Sequence, residues 1–199
     1  MYKVVEEPSG ILITLADVKE FARITNTAIP SPNDDILLQT ILDGAIDFCE
    51  GYTNLSIASK KYAMIWKYRN ACDLAWDHFE VRKGVVTEVE SIKRNYMDGD
   101  SHEYDLTGIE LDNYKQNSVI YLNGAGFQYG THPTRPFEVY FTAGYTESTL
   151  PKDLKTAIMQ LTTYWYENRE VTQIMDENNV AEMPMGTTSI LNKYRLVRL

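Results

Sequence analysis

The chain has 199 residues, 44% of them apolar and 24% charged, a balance that excludes disordered, collagenous and low-complexity classes. Its net charge of −9 argues against wrapping nucleic acid, no apolar run approaches the ~20 residues of a membrane helix, and Cys49 and Cys72 make no disulfide framework and suit a reducing compartment. A chain of this length buries a core without disulfides or metals, as one domain or one domain with an insertion.

Met1–Gly10 is acidic and polar and does not read as a signal peptide. Thr14 and Asp17 then form a T-x-x-D capping box, and Leu15, Val18, Phe21 and Ala22 follow at helical spacing. This short first helix is expected to end near Thr25. Pro30 and Pro32 punctuate the next loop.

Ser31-Pro32-Asn33-Asp34 starts a second helix, expected to run to about Tyr52. Leu37, Leu38, Ile41, Leu42, Ala45, Phe48, Cys49 and Tyr52 fill one arc of its wheel, which is core. Asp35, Gln39, Asp43, Asp47 and Glu50 fill the opposite arc. That arc is either a solvated face or a surface that must stay negative.

From Lys60 to Tyr145 the apolar period changes from 3.6 to 2. Tyr62, Met64, Trp66 and Tyr68 alternate with Lys61, Ala63, Ile65 and Lys67 in one strand with an aromatic face, and Val85 to Met97 reads as another. Asp98-Gly99-Asp100 is a hairpin turn signal. Tyr104–Leu106, Ser118–Leu122 and Phe137–Phe141 are further expected strands, and Gly124, Gly126, Gly130, Pro133 and Pro136 mark a connector loop.

Pro151 opens the last long helix, expected to reach about Val171. Leu154, Ala157, Ile158, Leu161, Tyr164, Trp165 and Asn168 form its inward arc, with Met159 and Tyr166 on the outward side, where they suggest a protein interface. Residues 172–186 read as a polar loop, and Ser189–Leu199 as a short helix or arm. Lys193, Arg195 and Arg198 face no acid after Glu182, so the tail is basic on an acidic chain and points to an acidic partner surface.

No constellation carries chemistry. Cys49, Cys72, His78, His102 and His132 lack metal-ligand spacing, and neither cysteine has the basic surroundings that activate a thiol. Gly124-x-Gly126 lacks the third glycine and the following helix of a dinucleotide loop. Asp34-Asp35 and Asp98-x-Asp100 occupy cap and turn positions. The fold expected from these elements is α+β: a small bundle of amphipathic helices, a long antiparallel β insertion between the second and third long helices, and a C-terminal arm. The segments are 1–59, 60–147, 148–171 and 172–199.

The run Ile13-Thr14-Leu15-Ala16-Asp17-Val18-Lys19, then Ala22-Arg23-Ile24, Asp34-Asp35 and Glu50-Gly51-Tyr52-Thr53, resembles the opening of the phage head–tail connector (adaptor) family. Thr142-Ala143-Gly144-Tyr145, the Leu150-Pro151-Lys152-Asp153-Leu154 segment and Tyr164-Trp165-Tyr166-Glu167-Asn168-Arg169-Glu170 continue the resemblance in order, and Ser189-Ile190-Leu191 with Tyr194-Arg195 closes it. Phe21-Ala22-Arg23 stands where Leu-Arg is usual.

The resemblance implies a non-catalytic structural protein of the virion neck, made in the host cytoplasm and needing no cofactor. It implies a homo-oligomeric ring, twelve-fold on the particle, beneath the portal protein. The ring joins the portal to a head-closure or tail-completion protein, and double-stranded DNA passes through it without sequence-specific binding or any membrane contact. On this basis Asp35, Asp43, Asp47 and Glu50 are expected to face the lumen. Leu191, Tyr194, Arg195, Leu196 and Arg198 are expected to dock on the portal, and Met159, Tyr166, Glu167 and Arg169 to meet a neighbouring subunit. Truncation after Gly186 is expected to abolish docking and spare the helical frame. Three other readings stay open: another neck component (head-closure or tail-terminator protein), an intracellular enzyme of unrecognised type, and a non-viral binding module.

Overall fold

The structure, a computed structural model, describes residues 2–7, 10, 12–24, 32–66, 78–114, 117–122, 131–168 and 184–196. The chain divides into two compact units, one of residues 11–57 and 146–199 and one of residues 1–10 and 58–145.

The first unit is helical. Helices α1 (Leu15–Phe21), α2 (Pro32–Thr53), α3 (Lys152–Glu167) and α4 (Met185–Tyr194) supply its core. Val18, Leu38, Leu42, Ala45, Cys49, Leu154, Ala157, Ile158, Leu161 and Leu191 are all buried. Each buried leucine or isoleucine contributes about 1.5–3 kcal/mol. The capping box at α1 is complete: Asp17 N–H donates to Thr14 Oγ1 at 3.1 Å and Thr14 N–H donates to Asp17 Oδ2 at 3.0 Å.

α1 ends at Phe21, earlier than its periodicity suggests. Arg23 lies at φ 53°, its N–H donates to Glu20 O at 3.2 Å, and Ile24 N–H donates to Lys19 O at 2.9 Å. This paired pattern closes the helix with Arg23 at the left-handed position usually held by glycine. Tyr164 and Trp165, expected in the core, are only half-buried. Trp165 stands edge-on to Phe48, with ring centroids 5.6 Å apart, and Phe48 itself is 38% exposed. Asn168 is not inward but exposed, as the α3 cap residue, its N–H donating to Tyr164 O at 2.9 Å.

The second unit is a two-sheet sandwich. Strands β1 (Tyr2–Glu6), β2 (Lys60–Trp66), β3 (His78–Val81), β4 (Val86–Asn95), β5 (Ser101–Glu103), β6 (Ile109–Tyr114), β7 (Asn117–Leu122) and β8 (Phe137–Ala143) form sheets ordered β1-β2-β8-β4-β5 and β3-β7-β6. All the pairings are antiparallel. Tyr62, Met64, Phe79, Val81, Ile92, Ile120, Leu122, Val139 and Phe141 share one core between the sheets. A three-way hydrogen bond at buried Ser118 ties them together: its Oγ donates to Gly84 O at 3.0 Å, accepts from Val86 N–H at 2.9 Å, and meets Asn113 Oδ1.

The α+β expectation is borne out, with strands β2–β8 between the second and third helices. Asp98-Gly99-Asp100 makes the β4–β5 turn, with Gly99 at φ 94° and Asp100 N–H on Asp98 Oδ1 at 3.1 Å. Three details differ. Tyr2–Glu6, read as a polar lead-in, is an edge strand on β2. Tyr104–Leu106 is no strand: β5 ends at Glu103 and Leu106 begins a 3-10 turn, Leu106–Gly108, capped by the Asp105 side chain. β3 and β6 carry too few alternating residues to have been read locally. Tyr68, Cys72 and Gly124, Gly126 and Gly130 lie outside the described residues.

Candidate functional site

The Glu50-Gly51-Tyr52-Thr53 motif closes α2 and builds a seat. Thr53 is buried, and its hydroxyl donates to Cys49 O at 2.7 Å and accepts from Leu55 N–H at 3.3 Å. Glu50 Oε1 accepts from Ile57 N–H at 2.9 Å, which folds the chain back after the helix. Asn54 takes φ 60°, a left-handed position that asparagine tolerates better than most residues.

Onto this seat comes the end of α4. Tyr52 Oη donates to Asn192 Oδ1 at 2.8 Å, and the Arg195 guanidinium lies 5.2 Å from the centroid of the Tyr52 ring. Leu196 uses both its backbone groups: its N–H donates to Thr53 O at 2.8 Å, and its carbonyl accepts from Asn54 Nδ2 at 3.3 Å. On the α3 side, Tyr194 Oη donates to Asp153 Oδ1 at 2.5 Å. Leu191 is fully buried and Thr187 beside it is buried too. Truncation after Gly186 would therefore remove part of the helical core, Thr187 and Leu191. Arg198 lies outside the described residues.

Of the acidic arc of α2, Asp35 pairs with Lys19 at 2.6 Å, Asp43 accepts from Gln39 Nε2 at 2.9 Å, Glu50 is held by Ile57 and Asp47 is exposed. The arc is thus acidic, with one cation of α1 set against its first residue. On α3, Met159 and Tyr166 are half-buried and Glu167 is exposed, while Arg169 lies outside the described residues. A further ion pair joins α1 to α3, Lys155 Nζ to Asp17 Oδ2 at 3.1 Å. The Thr14 backbone N–H, and then Lys155, hold the Asp17 carboxyl below its usual range.

Among the described residues no group of three His, Cys, Asp or Glu side chains could hold a metal ion. Burial pushes the Cys49 thiol up to about 12, so it is a core residue and not a nucleophile. Tyr52, Thr53, Asn54 and Asp153 were not singled out from sequence as a site. The available signal was the E-x-Y-T motif itself, whose partners lie some 140 residues away.

The described residues thus make an amphipathic helical unit and a β-sandwich insertion. The chain belongs to the head completion protein family, whose model matches residues 11–197. It is a structural protein of a phage-type particle, as the resemblance to phage head–tail connectors implied. Solved structures with the same fold include a chain from the neck of an empty gene transfer agent particle computed with C6 symmetry, 23% identical with a TM-score of 0.72. Another comes from the virion of the native gene transfer agent particle, 24% identical with a TM-score of 0.72, and a third from the native neck computed with C12 symmetry, 22% and 0.71. Each match covers 100% of this chain and 97% of the other. No curated protein matches the chain.

Proposed function

We propose that this protein is an adaptor subunit of the virion neck. It forms a ring beneath the portal, extends the DNA channel, and joins the head to a head-closure or tail-completion protein. The observation that carries this reading is the head completion family match over residues 11–197, nearly the whole chain. The shared fold with a gene transfer agent neck chain computed with C12 symmetry supports a twelve-fold ring. Such a ring repeats one heterologous contact, so each subunit needs two different complementary faces. Met159, Tyr166, Glu167 and Arg169 supply part of one of them.

In this ring Asp35, Asp43, Asp47 and Glu50 face the lumen. Neutralised phosphates would hold the duplex in place, and carboxylates let it pass. The C-terminal segment is the docking arm, with Leu191, Tyr194, Arg195, Leu196 and Arg198 at the portal end. No step of this role needs a cofactor or a catalytic group.

The test is electron microscopy of the protein mixed with the portal ring encoded by the same genome. A second ring stacked on the portal is expected. Bare portals at high protein concentration would instead favour a head-closure or tail-terminator role. Within an assembled particle, Asp43→Lys with Asp47→Lys is expected to alter DNA retention or ejection. Unchanged retention and ejection would remove the lumen assignment and leave the ring.

A further inference from the structure

The docking residues assigned above are already engaged within their own chain. Leu191 is fully buried, Tyr194 is bonded to Asp153, Arg195 lies over Tyr52, and both backbone groups of Leu196 are taken by Thr53 and Asn54. The Leu196 N–H is used up in cis, since an amide has one proton to donate, and an arginine stacked on its own tyrosine must leave it to reach another surface. The attachment of the arm end is also light. α4 buries only Thr187 and Leu191 of its ten residues and has no side-chain cap at its N-terminus. Beyond Leu191 no described residue is fully buried, Tyr194 and Leu196 being half-buried, and the Tyr52–Asn192 bond is exposed. Segments held this way open locally at low free-energy cost.

We propose that the α2 seat is a latch. The Tyr52, Thr53, Asn54 and Asp153 contacts keep the root of the arm closed on its own subunit, and the portal binds the molecule after residues 192–196 have left the seat. The inference rests on the adaptor reading and adds a regulation to it. The closed fraction weakens the apparent affinity for the portal in proportion to its population. An unrecruited subunit is therefore quiet in solution, and the portal selects the open state.

Two variants open the latch without touching a docking residue. Tyr52→Phe keeps the ring under Arg195 and removes the hydroxyl that donates to Asn192. Asn54→Gly keeps the positive φ and removes the donor to Leu196 O. Full-length wild type, each variant and the double variant are compared in two measurements: hydrogen exchange at the Leu196 amide and titration against the portal ring of the same genome. Thermal unfolding confirms that each chain is folded.

Faster exchange at Leu196 is expected, with portal binding tighter by about 2–10-fold per lost hydrogen bond and more in the double variant. Binding by the variants where wild type shows none would also support the latch. Faster exchange with unchanged or weaker binding would overturn it, since the seated root would then be the docking conformation. Exchange that does not change in the double variant would overturn the role of the seat. If neither wild type nor any variant binds the portal, the adaptor reading falls and the latch falls with it, an outcome distinct from binding that is indifferent to opening.

Discussion

Gly144 is the residue whose identity the backbone dictates most sharply. It sits at φ 126°, and a Cβ there would lie 2.3 Å from Ala58 O and 2.6 Å from the Ala58 carbonyl carbon. The close approach arises because Ala58 and Tyr145 form an isolated parallel bridge, which brings the two ends of the β unit side by side. Gly144→Ala should therefore cost about 2–4 kcal/mol, as strain at a left-handed position plus a clash with immobile backbone. Urea unfolding checks this, and a change below 0.5 kcal/mol would show that the bridge yields. Asp17 makes a prediction about pH. Its folded pKa is depressed, so its contribution is present above the ordinary aspartate value of about 4 and is lost as pH falls through the lowered one. Wild type should lose stability below pH 4 more steeply than Asp17→Asn. The urea midpoints of the two as a function of pH decide it, and parallel curves would assign the acid dependence elsewhere.

At the level of elements, local chemistry explains most starts and few stops. The α1 start was legible because its two capping bonds join residues three apart. Its stop was not, because the left-handed position is filled by Arg23 where sequence reading looks for glycine. Arg23→Gly should relieve that backbone strain and stabilise the protein by about 1 kcal/mol. A melting temperature that falls would mean that the Arg23 side chain contributes more than its backbone costs. Among the strands, β2, β4, β7 and β8 announce themselves because each alternates over six or more residues against a buried face. β1 and β5 are mostly exposed and carry no such pattern, so only their neighbours make them strands.

For the whole molecule, the C-terminal helix is part of the helical core, through Thr187 and Leu191. Cutting after Gly186 removes Leu191 from the helical core, whereas cutting after Leu196 keeps every described contact of the arm. The first truncation should cost at least about 2–5 kcal/mol, the range for emptying a buried leucine site. The second should leave the melting temperature within a few degrees of wild type and reduce portal binding. Equal stability of the two truncations would show that α4 adds nothing to the frame.

The sequence by itself determined the aliphatic centre of the α2 and α3 faces, the α1 capping box, the change of period at Lys60, the Asp98-Gly99-Asp100 turn and the family. All are matters of short spacing, because helix caps, turns and alternation are settled by groups a few residues apart. Tertiary structure alone decided that Tyr2–Glu6 joins the sheet through β2, that Tyr104–Leu106 leaves it, and that Tyr52, Asn54 and Asp153 receive the end of the arm. Those contacts join positions 41 to 142 residues apart. Each must offset the entropy of closing a long loop, and only the packing of the completed core selects which one does.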